Sequence, residues 1–284
     1  MRILLSFLLF ISVNSIYSQL RTPQASPSSK IEQAVGLTDV VLEYNRPSKK
    51  GRDIFGNLVP FGKIWRTGAN SSTKIGFSTD VSVDGSKIEK GTYSVFTIPN
   101  EESWEFILYS QAELWNVPSD WSEDKIVFKS QFKAHKLEEG NFVESFTISI
   151  NSLTNNGFDL VISWDDTYVI VPFSVPTREN VESQIEALMS GTPKVGDYYA
   201  AAVFYREENI KLGKALEYMN KAMEMTENPR FFQLRQQSLI LAANGLYKDA
   251  IEVAKKSLEL SIQANNQDYV KLNNDSIRDW EKNI

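Results

Sequence analysis

Between residues 30 and 175 apolar and polar positions alternate with a period of two, the pattern of half-buried strands. The run VSVDGSKIE (81–89) carries Asp84-Gly85 between alternating positions, which predicts a tight two-residue hairpin. A strand is expected over 91–99, stopped by Pro99-Asn100, followed by strands over 104–109, 126–135 and 142–150. Two more, 158–164 and 167–173, are joined across Asp165-Asp166, residues that tolerate left-handed backbone. About nine to eleven short strands with turns every 8–12 residues predict an antiparallel β-sandwich or jelly-roll-like domain over 30–176. A parallel sheet would need helices between its strands, and this stretch has no helical period.

After Pro176 the period lengthens. Helices are expected over 178–189, 198–208, 212–225, 230–243, 247–262 and 268–280, with Asn228-Pro229 as a start signal and Asn244-Gly245 as a stop. KALEYMNKAMEM (214–225) aligns on DAIEVAKKSLEL (249–260) at an offset of 35 residues. Ala215, Ala222, Ala250 and Ser257 are small where paired helices must approach closely. A repeat near this length resembles tetratricopeptide helical hairpins, so an all-α tetratricopeptide-like array is expected over 177–284.

The amino terminus has a different pattern. Met1-Arg2 precedes an 11-residue apolar run, 3–13, and then small polar residues, the layout of a secretory signal peptide over 1–18. Eleven residues are too few to cross a bilayer, which takes about 20, so no membrane span is expected. Residues 19–29, rich in proline and serine, are expected to form a flexible leader. The chain has no cysteine, which excludes a lipoprotein anchor, disulfides and thiolate metal sites. The protein is expected to be exported, periplasmic or secreted.

Charge narrows the choice of partner. The net charge of −6 offers no global field for nucleic acid. Within residues 46–74, however, Arg46, Lys49, Lys50, Arg52, Lys63, Arg66 and Lys74 face only Asp53, a local excess of six positive charges. The same stretch contains GNLVPFGK, which fails as a phosphate loop. Five residues separate its glycines where four are needed, and Ile64 stands where a Ser or Thr would bind magnesium. His135 is the only histidine, which excludes a His-based zinc site and a Cys–His dyad, and no metal or cofactor is expected. The doublets Glu101-Glu102, Glu123-Asp124, Glu138-Glu139 and Asp165-Asp166 read as turn chemistry, because adjacent carboxylates rarely span a cleft. Trp65, Trp104 and Trp164 fall on strand-like segments and read as packing; Trp115 and Trp121 lie on a loop.

Two roles are open to the stretch 46–70. Arginine forks suit carboxylate or phosphate, and a long irregular connection is often functional. The candidate ligand-binding residues are Arg46, Lys50, Arg52, Lys63, Trp65, Arg66 and Asn70. Alternatively Ile54, Phe55, Leu58, Val59, Phe61 and Trp65 plug the sheet while the charges stay solvated.

The run YNRPSKKGRDIFGNLVPFGKIWRTGANSSTKI, followed by GTYSVFTIP and a later tryptophan strand, resembles an exported bacterial family catalogued as domain of unknown function 2911, over about residues 30–175. The resemblance implies one β domain and export, and brings no activity, cofactor or catalytic residue. The expectation is a non-catalytic binding or scaffolding protein. Its β domain would take a small polar or anionic ligand or a glycan, and its helices would dock a protein partner or act as a cap. The alternative is a carboxylate-dependent hydrolase of glycans using Asp53 or a neighbouring acid.

Overall fold

The computed structural model describes residues 22–284; the expected signal peptide and the first residues of the leader lie outside them. The chain divides between Val175 and Pro176 into two compact units. The first is β-rich, with β1 (Ser28–Val35), β2 (Thr38–Asn45), β3 (Thr73–Phe77), β4 (Val81–Val83), β5 (Ser86–Ile88), β6 (Gly91–Pro99), β7 (Ser103–Tyr109), β8 (Ile126–Lys136), β9 (Val143–Thr154), β10 (Gly157–Asp165) and β11 (Thr167–Ser174). Every strand pairing is antiparallel.

Nine strands follow one path, β1-β2-β3-β6-β7-β8-β11-β10-β9, and the β4–β5 hairpin hangs on β11. The long β8 turns the corner. Its residues Ile126 to Lys133 pair with β7, and Ala134 to Lys136 pair with β11, so one strand belongs to both halves of a folded-over sheet. The far edges nearly meet. Past the end of β2, Pro47 O accepts from Phe146 N at 2.9 Å and Glu144 O accepts from Lys49 N at 2.7 Å, which leaves a barrel-like sheet almost closed. Closure protects edges that would otherwise invite other chains.

The turns follow local chemistry. Asp84 and Gly85 both take left-handed φ, 48° and 73°, between β4 and β5. Asp165 takes φ 54° between β10 and β11. Period-two burial is clean in β10, where Phe158, Leu160, Ile162 and Trp164 point inward. It fails in β6 and β7, which are buried on both faces. The loop after β7 covers the outer side, stacking Trp121 on Tyr109 at 4.5 Å beside Phe96.

The second unit has six helices: α1 (Thr177–Met189), α2 (Val195–Glu207), α3 (Leu212–Glu224), α4 (Phe231–Ala243), α5 (Tyr247–Gln263) and α6 (Gln267–Trp280). α2 packs on α3, α4 on α5, and α5 on α6, each joined by a short connection. Ala215, Ala222, Ala250 and Ser257 are fully buried, where larger side chains would hold the helices apart. Ser257 also bears a polar tie: its hydroxyl donates to Phe231 O at 2.7 Å and accepts from Asn273 Nδ2 at 2.9 Å, linking α5 to α4 and α6. α4 begins after Arg230 rather than at Asn228-Pro229, because the Gln233 side chain accepts the Arg230 N–H at 2.9 Å.

Candidate functional site

The connection from β2 to β3 is the stretch 46–72, and its apolar residues divide between the core and the surface. Ile54 and Val59 are buried in the main core, and Phe55 and Trp65 pack against it; Leu58 and Phe61 stay exposed. Trp65 sits at the hub of an aromatic cluster, 5.2 Å from Phe146, 6.2 Å from Trp104 and Phe55, and stacked 6.0 Å from Trp164. Its backbone exchanges hydrogen bonds with Thr97 at 2.8 and 2.9 Å, and its ring nitrogen donates to Gly68 O at 3.1 Å. Backbone and ring are therefore both held, and the next residue, Arg66, is set in place.

The turn after Arg66 is unusual. Thr67, Gly68 and Asn70 all have positive φ, 53°, 145° and 58°. For a β-branched residue such as Thr67 this conformation costs about 1–3 kcal/mol and persists only where surrounding structure enforces it. Here Thr67 is fully buried, shares a hydrogen bond with Thr97 Oγ1 at 3.1 Å, and its carbonyl accepts from the Thr73 hydroxyl. Gly68 is required for space as well as φ, since a Cβ there would lie 3.1 Å from Asn45 O.

The cations separate into distinct jobs. Arg46 is occupied by the barrel closure, donating from Nε to Phe146 O at 3.1 Å and from a terminal nitrogen to Thr147 Oγ1 at 2.8 Å. Lys49 pairs with Asp165, and Lys136 pairs with Asp166 at 2.8 Å, so that doublet is neutralised in its turn. Lys74 pairs with Glu43 and Glu113, each at 3.1 Å. Arg52 folds back on its own loop, its Nε donating to Lys49 O at 2.9 Å. Lys63 is exposed and lies away from the cavity described next.

Lys50, Arg52 and Arg66 converge on a cavity of about 490 Å³ with Trp65 and Trp164 in its wall. No described Asp or Glu lines it. Arg66 is half-buried, its Nε is buried without a hydrogen-bond partner, and no described carboxylate pairs with it. Burial pushes the Arg66 guanidinium below its ordinary pKa, the mark of a cation that has lost water without gaining a counter-charge. Ala25 and Ser26 complete the wall, although their serine- and proline-rich sequence carries no sign of a site. That end of the expected leader is tied down: Pro27 O accepts from Arg46 N at 2.9 Å, and β1 begins at Ser28.

Asn70 borders a second cavity, of about 340 Å³, together with Glu43, Asn45, Lys74 and Trp115. A third, of about 240 Å³, is lined by Phe55, Phe61, Trp104, Glu101 and Lys136. None of these three cavities brings two carboxylates together, and Asp53 borders none of them. His135 stacks on Tyr168 at 5.1 Å. Among the described residues no group of three His, Asp or Glu side chains is arranged to hold a metal ion, and no helix is long and apolar enough to cross a membrane.

The fold defines a two-unit protein, a nearly closed antiparallel β unit followed by six helices, with an unbalanced cluster of cations on the β unit. The family model described as "Protein of unknown function (DUF2911)" matches residues 26–173, more than half the chain, and the chain belongs to that family. No curated protein and no solved structure matches it.

Proposed function

We propose that the β unit is a non-catalytic binding module for a small anionic ligand, held by Arg66 with Lys50 and Arg52. The observation that carries this reading is the half-buried Arg66, with its unpartnered Nε, on a cavity that three cations and no carboxylate line. A buried charge without a partner is costly, and a carboxylate or phosphate in the cavity would supply the counter-charge that the guanidinium lacks. The volume is within the roughly 300–1,000 Å³ range of small-molecule sites, and the aromatic wall limits water around the incoming anion. The apolar run at residues 3–13 supports export as the setting, and the paired helices support a docking or stabilising role for the second unit. The hydrolase reading lacks an acid–base pair across any of the three cavities.

Calorimetric titration with glucuronate and with inorganic phosphate tests the reading. Saturable binding is expected that weakens at least about tenfold in Arg66→Ala and falls with added salt. Equal affinity in the wild type and Arg66→Ala would place the site elsewhere.

A further inference from the structure

We propose that the cavity at Arg66 and the cavity beneath Trp115 are two subsites of one site, and that its ligand is an acidic saccharide of at least two rings. The inference rests on the anion-binding reading above and adds the class of molecule.

Trp115 is 69% exposed, the most solvent-exposed large hydrophobic side chain among the described residues, and it borders a cavity whose other walls are mostly polar. A sugar ring matches such a wall: one face presents C–H groups that stack on an indole, and its rim presents hydroxyls that both donate and accept. The rim here offers both kinds of partner. Glu43 and Lys74 form a pair at 3.1 Å, Asn45 donates to Ser71 Oγ at 3.1 Å, and Ser28 and Ser29 border the same cavity. A planar base would call for a second flat wall opposite Trp115. The only other ring bordering the cavity is Tyr44, which is buried with its hydroxyl donating to Ile148 O at 3.0 Å.

The two cavities share a boundary. Asn70 borders the Trp115 cavity, while Gly68, Ala69 and Ser26 border the Arg66 cavity. Across the divide the Asn70 carboxamide donates to Ser26 O at 3.4 Å and to Asn45 Oδ1 at 3.5 Å. Both bonds are at the weak limit of length, so exchanging them for bonds to a ligand costs little. Charge sets the direction. In the Trp115 cavity Glu43 offsets one of the two lysines, Lys30 and Lys74, whereas the Arg66 cavity has three cations and no carboxylate, so the stronger positive field is on the Arg66 side. A uronate or phosphorylated ring therefore occupies the Arg66 side, and the adjoining neutral ring stacks on Trp115.

Three titrants separate the outcomes: glucuronate, a set of glucuronate- and galacturonate-containing disaccharides with their neutral counterparts, and AMP. At least one acidic disaccharide is expected to bind about tenfold or more tighter than glucuronate, with the Trp115 emission shifting to the blue. Trp115→Ala should remove that gain and leave glucuronate affinity unchanged; Arg66→Ala should weaken both ligands. Trp115 is exposed, so thermal melting of Trp115→Ala should match the wild type and confirm that the variant folds. If no acidic disaccharide exceeds glucuronate, or if the gain survives Trp115→Ala, the saccharide inference fails while the Arg66 site stands. If AMP binds tighter than every disaccharide through Trp115, the ligand class is wrong. If neither glucuronate nor phosphate binds through Arg66, both readings fall together.

Discussion

Arg46 reaches from the end of β2 to the carbonyl of Phe146 on β9, 100 residues away in the chain, and so ties the β1–β2 end of the sheet to its β9 edge. The bond makes this arginine a part of the barrel closure, although it comes from the same basic stretch as the proposed ligand contacts. Arg46→Ala is therefore expected to lower stability by about 2 kcal/mol, as for loss of partly buried hydrogen bonds from a charged donor. Chemical denaturation checks this. Glucuronate affinity, measured while the variant is folded, should stay within about twofold of the wild type.

Arg66→Ala should behave in the opposite way. Its guanidinium is half-buried without a counter-charge, so removal relieves a desolvation cost and breaks no ion pair. Thermal melting should show an unchanged or raised midpoint alongside lost anion binding. A large drop in the midpoint would mean that Arg66 is a structural plug.

Two glycines with left-handed backbone should differ in their tolerance of a methyl group. At Gly85, in the β4–β5 turn, nothing lies within 4 Å of an added Cβ, so Gly85→Ala carries only the backbone penalty of about 1 kcal/mol. At Gly68 the same Cβ also meets Asn45 O at 3.1 Å. Gly68→Ala should cost roughly 2–3 kcal/mol and weaken ligand binding, because the turn that positions Arg66 must shift.

In the helical unit, Ser257→Ala should cost about 2 kcal/mol, although it removes a single oxygen. Both Phe231 O and the Asn273 carboxamide would lose a buried partner. Denaturation of the variant, compared with Ser257→Gly and Ser257→Thr, would separate the hydroxyl from the packing.

Stability should also fall in acid. Burial raises the Asp166 carboxyl, but hydrogen bonds from Lys136 and Thr167 and the Lys136 charge outweigh it, leaving its pKa below the ordinary value. Asp80 is held low by its hydrogen bonds to Lys87 and to the Lys90 backbone. Because these groups are more acidic in the folded chain, the unfolded chain binds more protons as the pH drops. Their stabilising contribution is thus complete above the unfolded values, near pH 4, and is lost as pH falls through the folded ones. Asp166→Asn should flatten the stability profile below about pH 4, and the effect should shrink at high salt because both carboxylates are substantially exposed.

Much of this protein was determined by its sequence alone. Period-two alternation located the strands, Asp84-Gly85 and Asp165-Asp166 located two turns, and the 35-residue repeat located paired helices with small residues at their contacts. All of these follow from local backbone preferences and side-chain periodicity, which are properties of neighbouring residues. The cation excess in 46–74 was legible for the same reason. Only the tertiary structure decided which of those cations meets a carboxylate. Arg46 meets Phe146, Lys49 meets Asp165 across 116 residues, and Lys74 meets Glu113, leaving Arg66 without a counter-charge and Lys50 and Arg52 beside it. Those pairings depend on the register of strands far apart in the chain and on how the folded-over sheet closes. Neither quantity is encoded in any short window, and so the proposed site depends on the closure rather than on the basic stretch alone.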